Sequence, residues 1–300
     1  MSTSSRLDDI FRPRVPAERL AALRVRVGLF GTVYVFVRAP ALASVARQTT
    51  AFAPAGPVKL LSQPLPAWAV YGVVALACAT AIPFVLGWRF RIMGPLFAAS
   101  LLWATSYRNS FGMIFHTENL TVLHVIVLAF SDAAAATSLD ARGKPPAEPS
   151  RRYGVALVAM SLIAGIAYAL AAVAKLRVSG FDWITGDALR NHIAHDSLRK
   201  LLLGDGYSVA GGWAVRHAWL FQPFAAVTLF FGLLAPIAIL HRRIAIVICG
   251  GLWLFHFGVL ILMWIFFPYP LSGIAFLSFF EAEKVIAWVR RRLPRAGVAA

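Results

Sequence analysis

Apolar residues run along this chain in long blocks, not in short alternations. A helix needs about 20 mostly apolar residues to cross the hydrocarbon of a bilayer. Blocks of that kind recur at 22–46, 66–86, 91–107, 117–131, 153–174, 217–240 and 244–267, with a shorter one near 270–288. The pattern predicts an all-α fold, a polytopic transmembrane bundle of about eight spans. The fourth block is short and carries His124; the eighth starts between Pro268 and Pro270 and reaches Glu281. The predicted organisation is a basic N-terminal segment over 1–21, the membrane domain over 22–288 and a basic tail over 289–300. No internal repeat is visible, which argues against an inverted-repeat transporter.

Polar stretches separate the blocks. Residues 137–151 form a linker rich in Pro and charge. Segment 175–216 is longer, and within it residues 186–203 read GDALRNHIAHDSLRKLLL. Leu189, Ile193, Leu198, Leu201 and Leu202 recur near helical spacing there and predict an amphipathic surface helix. Gly204, Gly206, Gly211 and Gly212 then interrupt it.

Composition agrees. Hydrophobic residues make up 59% and charged residues 14% of the 300, and the mean hydropathy is +0.71. A soluble domain is about half apolar and about a quarter charged. Disorder is excluded, and a soluble nucleic-acid binder is disfavoured despite the net charge of +16. With eight spans and the N-terminus inside, 19 of the 29 Lys and Arg fall inside and 9 outside. That bias follows the positive-inside rule for N-in and C-in and anchors the chain to anionic lipid. The predicted location is the inner (plasma) membrane, crossed many times, with membrane lipid as a partner and no nucleic acid. Cys78 and Cys249 stand alone in apolar runs, so neither a disulfide framework nor a zinc site is indicated.

Ionisable groups at membrane depth are costly and therefore candidate sites. Lys175 ends the fifth block: it either snorkels to the outer interface or is desolvated enough to offer a free amine as a base. His256, inside Trp253-Leu254-Phe255-His256-Phe257-Gly258, is either functional or bonded to a neighbouring helix. His124 reads as structural. Arg38 either pairs with Glu118, meets an anionic substrate or snorkels outward. Arg108-Asn109 and His116-Thr117-Glu118-Asn119 gather at one membrane surface. They line a pocket at headgroup level or form a solvated loop in which Thr117 caps the fourth span. His192 and His195 alone are a weak metal pair, and no metal is predicted.

Two segments carry a resemblance. Lys175-Leu176 followed by Asp182-Trp183-Ile184-Thr185-Gly186 resembles the K-L…D-W-x-x-G segment of the vitamin K-dependent γ-carboxylase family and of the bacterial HTTM (horizontally transferred transmembrane) domain. Arg108-Asn109, Asn119 and the stretch from Phe255-His256 to Phe266-Phe267-Pro268-Tyr269 agree in order, and the likeness covers roughly 16–285. It implies an eight-helix bundle and a lysine base acting on reduced vitamin K, here a menaquinol-like quinol. Oxygen turns that quinol into a strong base, a glutamate γ-proton is removed and carbon dioxide adds, a lyase-class reaction. Lys175 and His256 are then catalytic. Arg108, Asn109, His116, Asn119, Thr121, Phe181, Asp182 and Trp183 are substrate-binding, with Phe181 and Trp183 at the mouth. The chain has no counterpart of the carboxylase's lumenal domain. Thr121 stands close to where the carboxylase has a catalytically important histidine. The resemblance is to the short bacterial form, and its alternative implication is a non-catalytic partner in maturing or exporting a secreted peptide, as in sporulation-delaying-protein-B-like proteins.

Overall fold

The computed structural model describes residues 3–112, 114–115 and 117–284. Among them there are helices and two isolated bridges, Val15 with Ser150 and Phe52 with Phe111, and no strand. The chain divides into two compact units.

The first unit takes residues up to Met160 together with those from Phe280 onward. It holds α1 (Thr3–Phe11), α2 (Ala17–Ala43), α3 (Ala67–Leu86), α4 (Phe90–Arg108), α5 (Asn119–Ala129) and the first turns of α6 (Arg151–Ser179). Small residues on α2 let rings approach its backbone. A Cβ at Gly28 would lie 2.8 Å from the Phe84 ring, and one at Gly31 would lie 3.3 Å from Phe97. Phe84 in turn packs on Phe90 and Phe97, with both centroid separations at 5.2 Å. Helix α3 ends because Gly87 adopts a left-handed conformation, φ +63. Its N–H bonds to Phe84 O, and that of Trp88 to Pro83 O, satisfying the last carbonyls of the helix. Asp140 caps α4 from a distance in sequence: its two carboxylate oxygens accept from the N–H groups of Arg89 and Phe90 at 2.8 and 2.7 Å. The buried Arg24 ties this turn to the polar linker by donating to Thr137 O. Arg19 binds Glu283 at 2.7 Å and Glu281 at 3.1 Å, which holds segment 280–284 against α2.

The second unit, Ser161–Phe279, holds the rest of α6, then α7 (Asp182–Thr185), α8 (Ala188–Leu202), α9 (Val209–Ala214), α10 (Phe221–Leu234), α11 (Arg242–Met263) and α12 (Pro268–Leu271). Here too glycines set the spacing. A Cβ at Gly232 of α10 would lie 2.9 Å from that of Ala172 on α6, and Gly251 of α11 leaves room for the Phe231 ring. Segment 196–211 wraps the end of α11. Lys200 donates to Met263 O, Ser208 to Ile261 O, and Gly211 passes so close to Leu262 O that a Cβ would stand 2.1 Å from it.

Five described helical stretches are long and apolar enough to cross a membrane: Ala17–Arg47, Ala67–Leu86, Arg151–Ser179, Ala218–Leu240 and Arg242–Met263. They coincide with five of the eight predicted blocks. Helix α4 covers the third block with 19 residues but carries Arg91 and Arg108 at its ends. Helix α5 has only 11 residues. The eighth block is not one continuous helix: Pro268, Pro270 and Gly273 break it into α12 and a 3-10 stretch at Ile274–Phe279. Its end, the basic tail with Arg290-Arg291-Arg292, and His116 lie outside the described residues. The helix predicted in 175–216 is α8, but its leucines divide. Ile193 is buried and Leu189 packs inward, whereas Leu198, Leu201 and Leu202 are exposed.

Asp196 gives α8 a pH signature. The carboxylate binds Arg199 at 3.0 Å and Lys200 at 2.8 Å. Burial pushes its carboxyl up, but the hydrogen bonds and charges of Lys200 and Arg199 outweigh that and hold it below the usual carboxylate range. A lowered folded-state value means that the stabilisation is present above the ordinary carboxylate range and is lost as pH falls through the lowered value. Thermal unfolding in detergent should therefore show a loss below about pH 4 that is smaller in Asp196→Asn. Identical acid profiles for the two proteins would exclude this carboxylate as the source.

Candidate functional site

The predicted site residues fall into two groups, one in each unit. In the second unit, α6 presents Tyr168, Ala172 and Lys175 at spacings of four and three, on one face of the helix. Lys175 is half-buried. Its Nζ lies 5.4 Å from the centroid of the Trp183 ring and makes a long hydrogen bond to Ala171 O at 3.4 Å. Among the described residues no carboxylate pairs with it. Trp183 reaches the amine because α6 stops at Gly180, which has φ +57, and the one-turn α7 folds back. The indole is only 7% exposed and packs with Ala172, Ala225 and Leu229. Its Nε1–H is buried without an acceptor, and a buried donor left unbonded costs roughly 1–3 kcal/mol. The exposed His192 ring lies 5.7 Å from the same indole. Phe181 is 78% exposed and Asp182 is exposed too. Of the two residues expected at a mouth, Phe181 is thus exposed and Trp183 is buried.

Two turns along the same face, near 10 Å by helical rise, Tyr168 meets His256. The Tyr168 hydroxyl and His256 Nε2 are 2.8 Å apart. The imidazole is 6% exposed and sits among the Phe255 and Phe267 rings, both at 5.0 Å. His256 therefore bonds to a side chain of α6. Tyr168 was not among the predicted residues: its helical register with Lys175 is visible in the sequence, but its pairing with His256 is not.

The first unit holds the other group. Asn109 spends both halves of its amide on one residue: Nδ2 donates to Phe115 O and Oδ1 accepts from Phe115 N–H, each at 3.0 Å. The Arg108 guanidinium lies 4.0 Å above the Phe115 ring. Arg108-Asn109 thus clamps the loop before α5. Glu118 is buried and collects three partners. It accepts from the Tyr34 hydroxyl at 2.8 Å and from the Thr117 hydroxyl at 2.7 Å, and it lies 4.0 Å from Arg38. The Arg38–Glu118 pairing is present, but Thr117 does not cap α5, because its hydroxyl is turned to Glu118. Asn119 is exposed. The Thr121 hydroxyl is buried without a partner. His124 is fully buried, with Nε2 3.1 Å from Met160 O, the structural role expected of it.

Among the described residues no three His, Cys, Asp or Glu side chains stand where they could share a metal ion. A cleft of about 590 Å³ lies in the first unit, and none of the predicted site residues lines it. The chain matches the HTTM domain over residues 11–283. No curated protein and no solved structure matches it.

Proposed function

The chain belongs to the HTTM domain family and is an integral membrane protein, and from that premise we propose that it acts on a lipophilic quinol or related lipid with Lys175 as the base. The proposed setting is the bacterial inner membrane. The observation that carries the reading is the meeting of Lys175 with Trp183: two residues eight apart in the motif stand together at the end of an apolar helix, with a buried donor lacking an acceptor beside the amine.

The residues fit a flat apolar ligand bearing oxygen. Leu176, Ile184 and Leu189 pack around the indole, and Trp183 Nε1–H gains an acceptor if a ligand oxygen reaches it. Such a quinol, with O2, supplies the oxidative chemistry when bound, and CO2 is the further reactant in the carboxylase-type outcome. The chain supplies the proton chemistry. The amine of Lys175, half removed from water and paired with no carboxylate among the described residues, can take a hydroxyl proton at Nζ. His256 and Tyr168 form a second proton-carrying pair along the same face of α6, able to hold a proton between Nε2 and the hydroxyl.

Quinol-dependent oxygen uptake by the purified protein in nanodiscs is the test. Lys175→Ala is expected to lower the rate about 100-fold, the scale of general-base catalysis. Equal rates for the two proteins, or no uptake by the wild type with any long-chain quinol, would remove the proposal. Transfer of labelled CO2 to a glutamate peptide separates carboxylase-type from epoxidase-type turnover.

A second reading, a non-catalytic partner for a secreted peptide, is favoured by the exposed Leu198, Leu201 and Leu202 face of α8. Peptide maturation that survives Lys175→Ala but fails with Leu201→Glu would select it.

A further inference from the structure

The first unit contains a cleft that the quinol reading leaves unused. It is an open cleft of about 590 Å³, within the range of about 300–1,000 Å³ usual for small-ligand sites. Its walls come from the start of α4, the end of α5 and the start of α6, three helix ends that meet at one cleft. Arg91 and Arg152 are each the second residue of their helix, so both guanidinium groups stand at the mouth. Pro95 and Ala159 line the cleft four and seven residues further in, roughly 6 and 10 Å deeper by helical rise. Val127, Phe130 and Val155 complete an apolar wall.

The polar groups at the rim are unequal. Arg152 Nη1 donates to Asp132 at 3.2 Å, and both side chains are exposed. Arg91 is exposed and pairs with no carboxylate among the described residues. The Ser131 hydroxyl is taken by Leu128 O. The mouth therefore carries one spare positive charge above a greasy trough, which is the profile of an amphiphile with an anionic head. The setting supplies one: α6, which carries Arg152, Val155 and Ala159, is long and apolar enough to cross a bilayer, and anionic lipid attracts basic residues near its surface.

We propose that this cleft seats an anionic phospholipid, with Arg91 and Arg152 on its phosphate and an acyl chain against Pro95, Val155 and Ala159. Asp132 competes with the phosphate for Arg152. The proposal thus assigns opposite signs to neighbouring substitutions, which a merely structural ion pair would not produce.

The test is native mass spectrometry of the full chain released from detergent and titrated with phosphatidylglycerol or phosphatidylcholine. Wild type should retain phosphatidylglycerol about 30-fold better, and Arg91→Gln with Arg152→Gln should remove that preference, given about 1 kcal/mol for each of the two basic residues at a lipid surface. Asp132→Asn should raise retention of phosphatidylglycerol about threefold. Val155→Trp should reduce retention of both lipids by filling the trough. Arg91 and Arg152 are exposed, so their replacement leaves folding nearly untouched, which a symmetric size-exclusion peak verifies. Retention unchanged in the double variant, or lowered by Asp132→Asn, would overturn the proposal. So would displacement of the lipid by millimolar inorganic phosphate, which would mark the mouth as a site for free anions.

Discussion

Gly87→Ala is expected to cost roughly 2–5 kcal/mol of stability, the sum of a left-handed penalty of about 1–2 kcal/mol for a residue with a Cβ and an overpacking penalty of about 1–3 kcal/mol. Gly87 has φ +63, and its Cβ would stand 1.7 Å from Arg24 Nη1 and 2.5 Å from Ser138 Cβ. The guanidinium has no easy retreat. Arg24 is fully buried, donates to Thr137 O and packs its charge 5.8 Å from the Phe90 ring. Moving it disturbs the turn, the linker and the start of α4 together. Two companions make the cause readable. Arg89, next but one in the chain, has φ +44 and is exposed, so Arg89→Gly should be neutral or slightly stabilising. In an Arg24→Met background the alanine should lose part of its effect, because the clash with the head of the side chain is gone. Thermal unfolding in detergent reads all three. A Gly87→Ala protein that melts with the wild type would show that the turn yields more cheaply than its packing implies.

Glu118→Ala is the second large effect, about 3 kcal/mol. Breaking a buried charge pair costs about 3–5 kcal/mol because the remaining partner is stranded. The lower end applies here, since Arg38 is 39% exposed and can turn partly to water. Tyr34 and Thr117 have no such escape, being part-buried and bonded to the same carboxylate. Glu118→Gln keeps an acceptor for Tyr34 and should recover most of the loss, whereas Tyr34→Phe alone should cost about 1 kcal/mol. Unfolding midpoints of the three variants must follow that order. A glutamine variant as weak as the alanine one would assign the role to charge alone.

What the sequence discloses depends on whether a feature is local. The long apolar blocks were visible because a bilayer crossing has a fixed length, and α2, α3, α6 and α11 follow from it with little else. Lys175 and Trp183 were both legible as parts of one motif, whereas their contact depends on the turn at Gly180 and the one-turn helix after it. The eighth block failed as a helix for a reason already in its letters: Pro268 and Pro270 remove backbone donors and Gly273 takes φ +76. The Tyr168–His256 pair was hidden, because it depends on how α6 and α11 pack 88 residues apart. The part played by Asn109 was equally hidden. An amide suits a ligand or a loop, and only the two hydrogen bonds to Phe115 show that both its groups are committed there.

Helix α5 has 11 residues, which gives a rod of about 16 Å where the hydrocarbon is about 30 Å thick. A helix this short does not cross by itself, and non-helical peptide groups at membrane depth survive only when the protein supplies their partners. The Asn109 clamp and the Glu118 cluster do this job just before the helix starts. Leu123 of α5 is exposed, an apolar side chain on the outside of the short rod. The leaflet beside it is expected to be drawn inward to match the stub. Water and headgroups would then dip toward the bilayer midplane along this one flank.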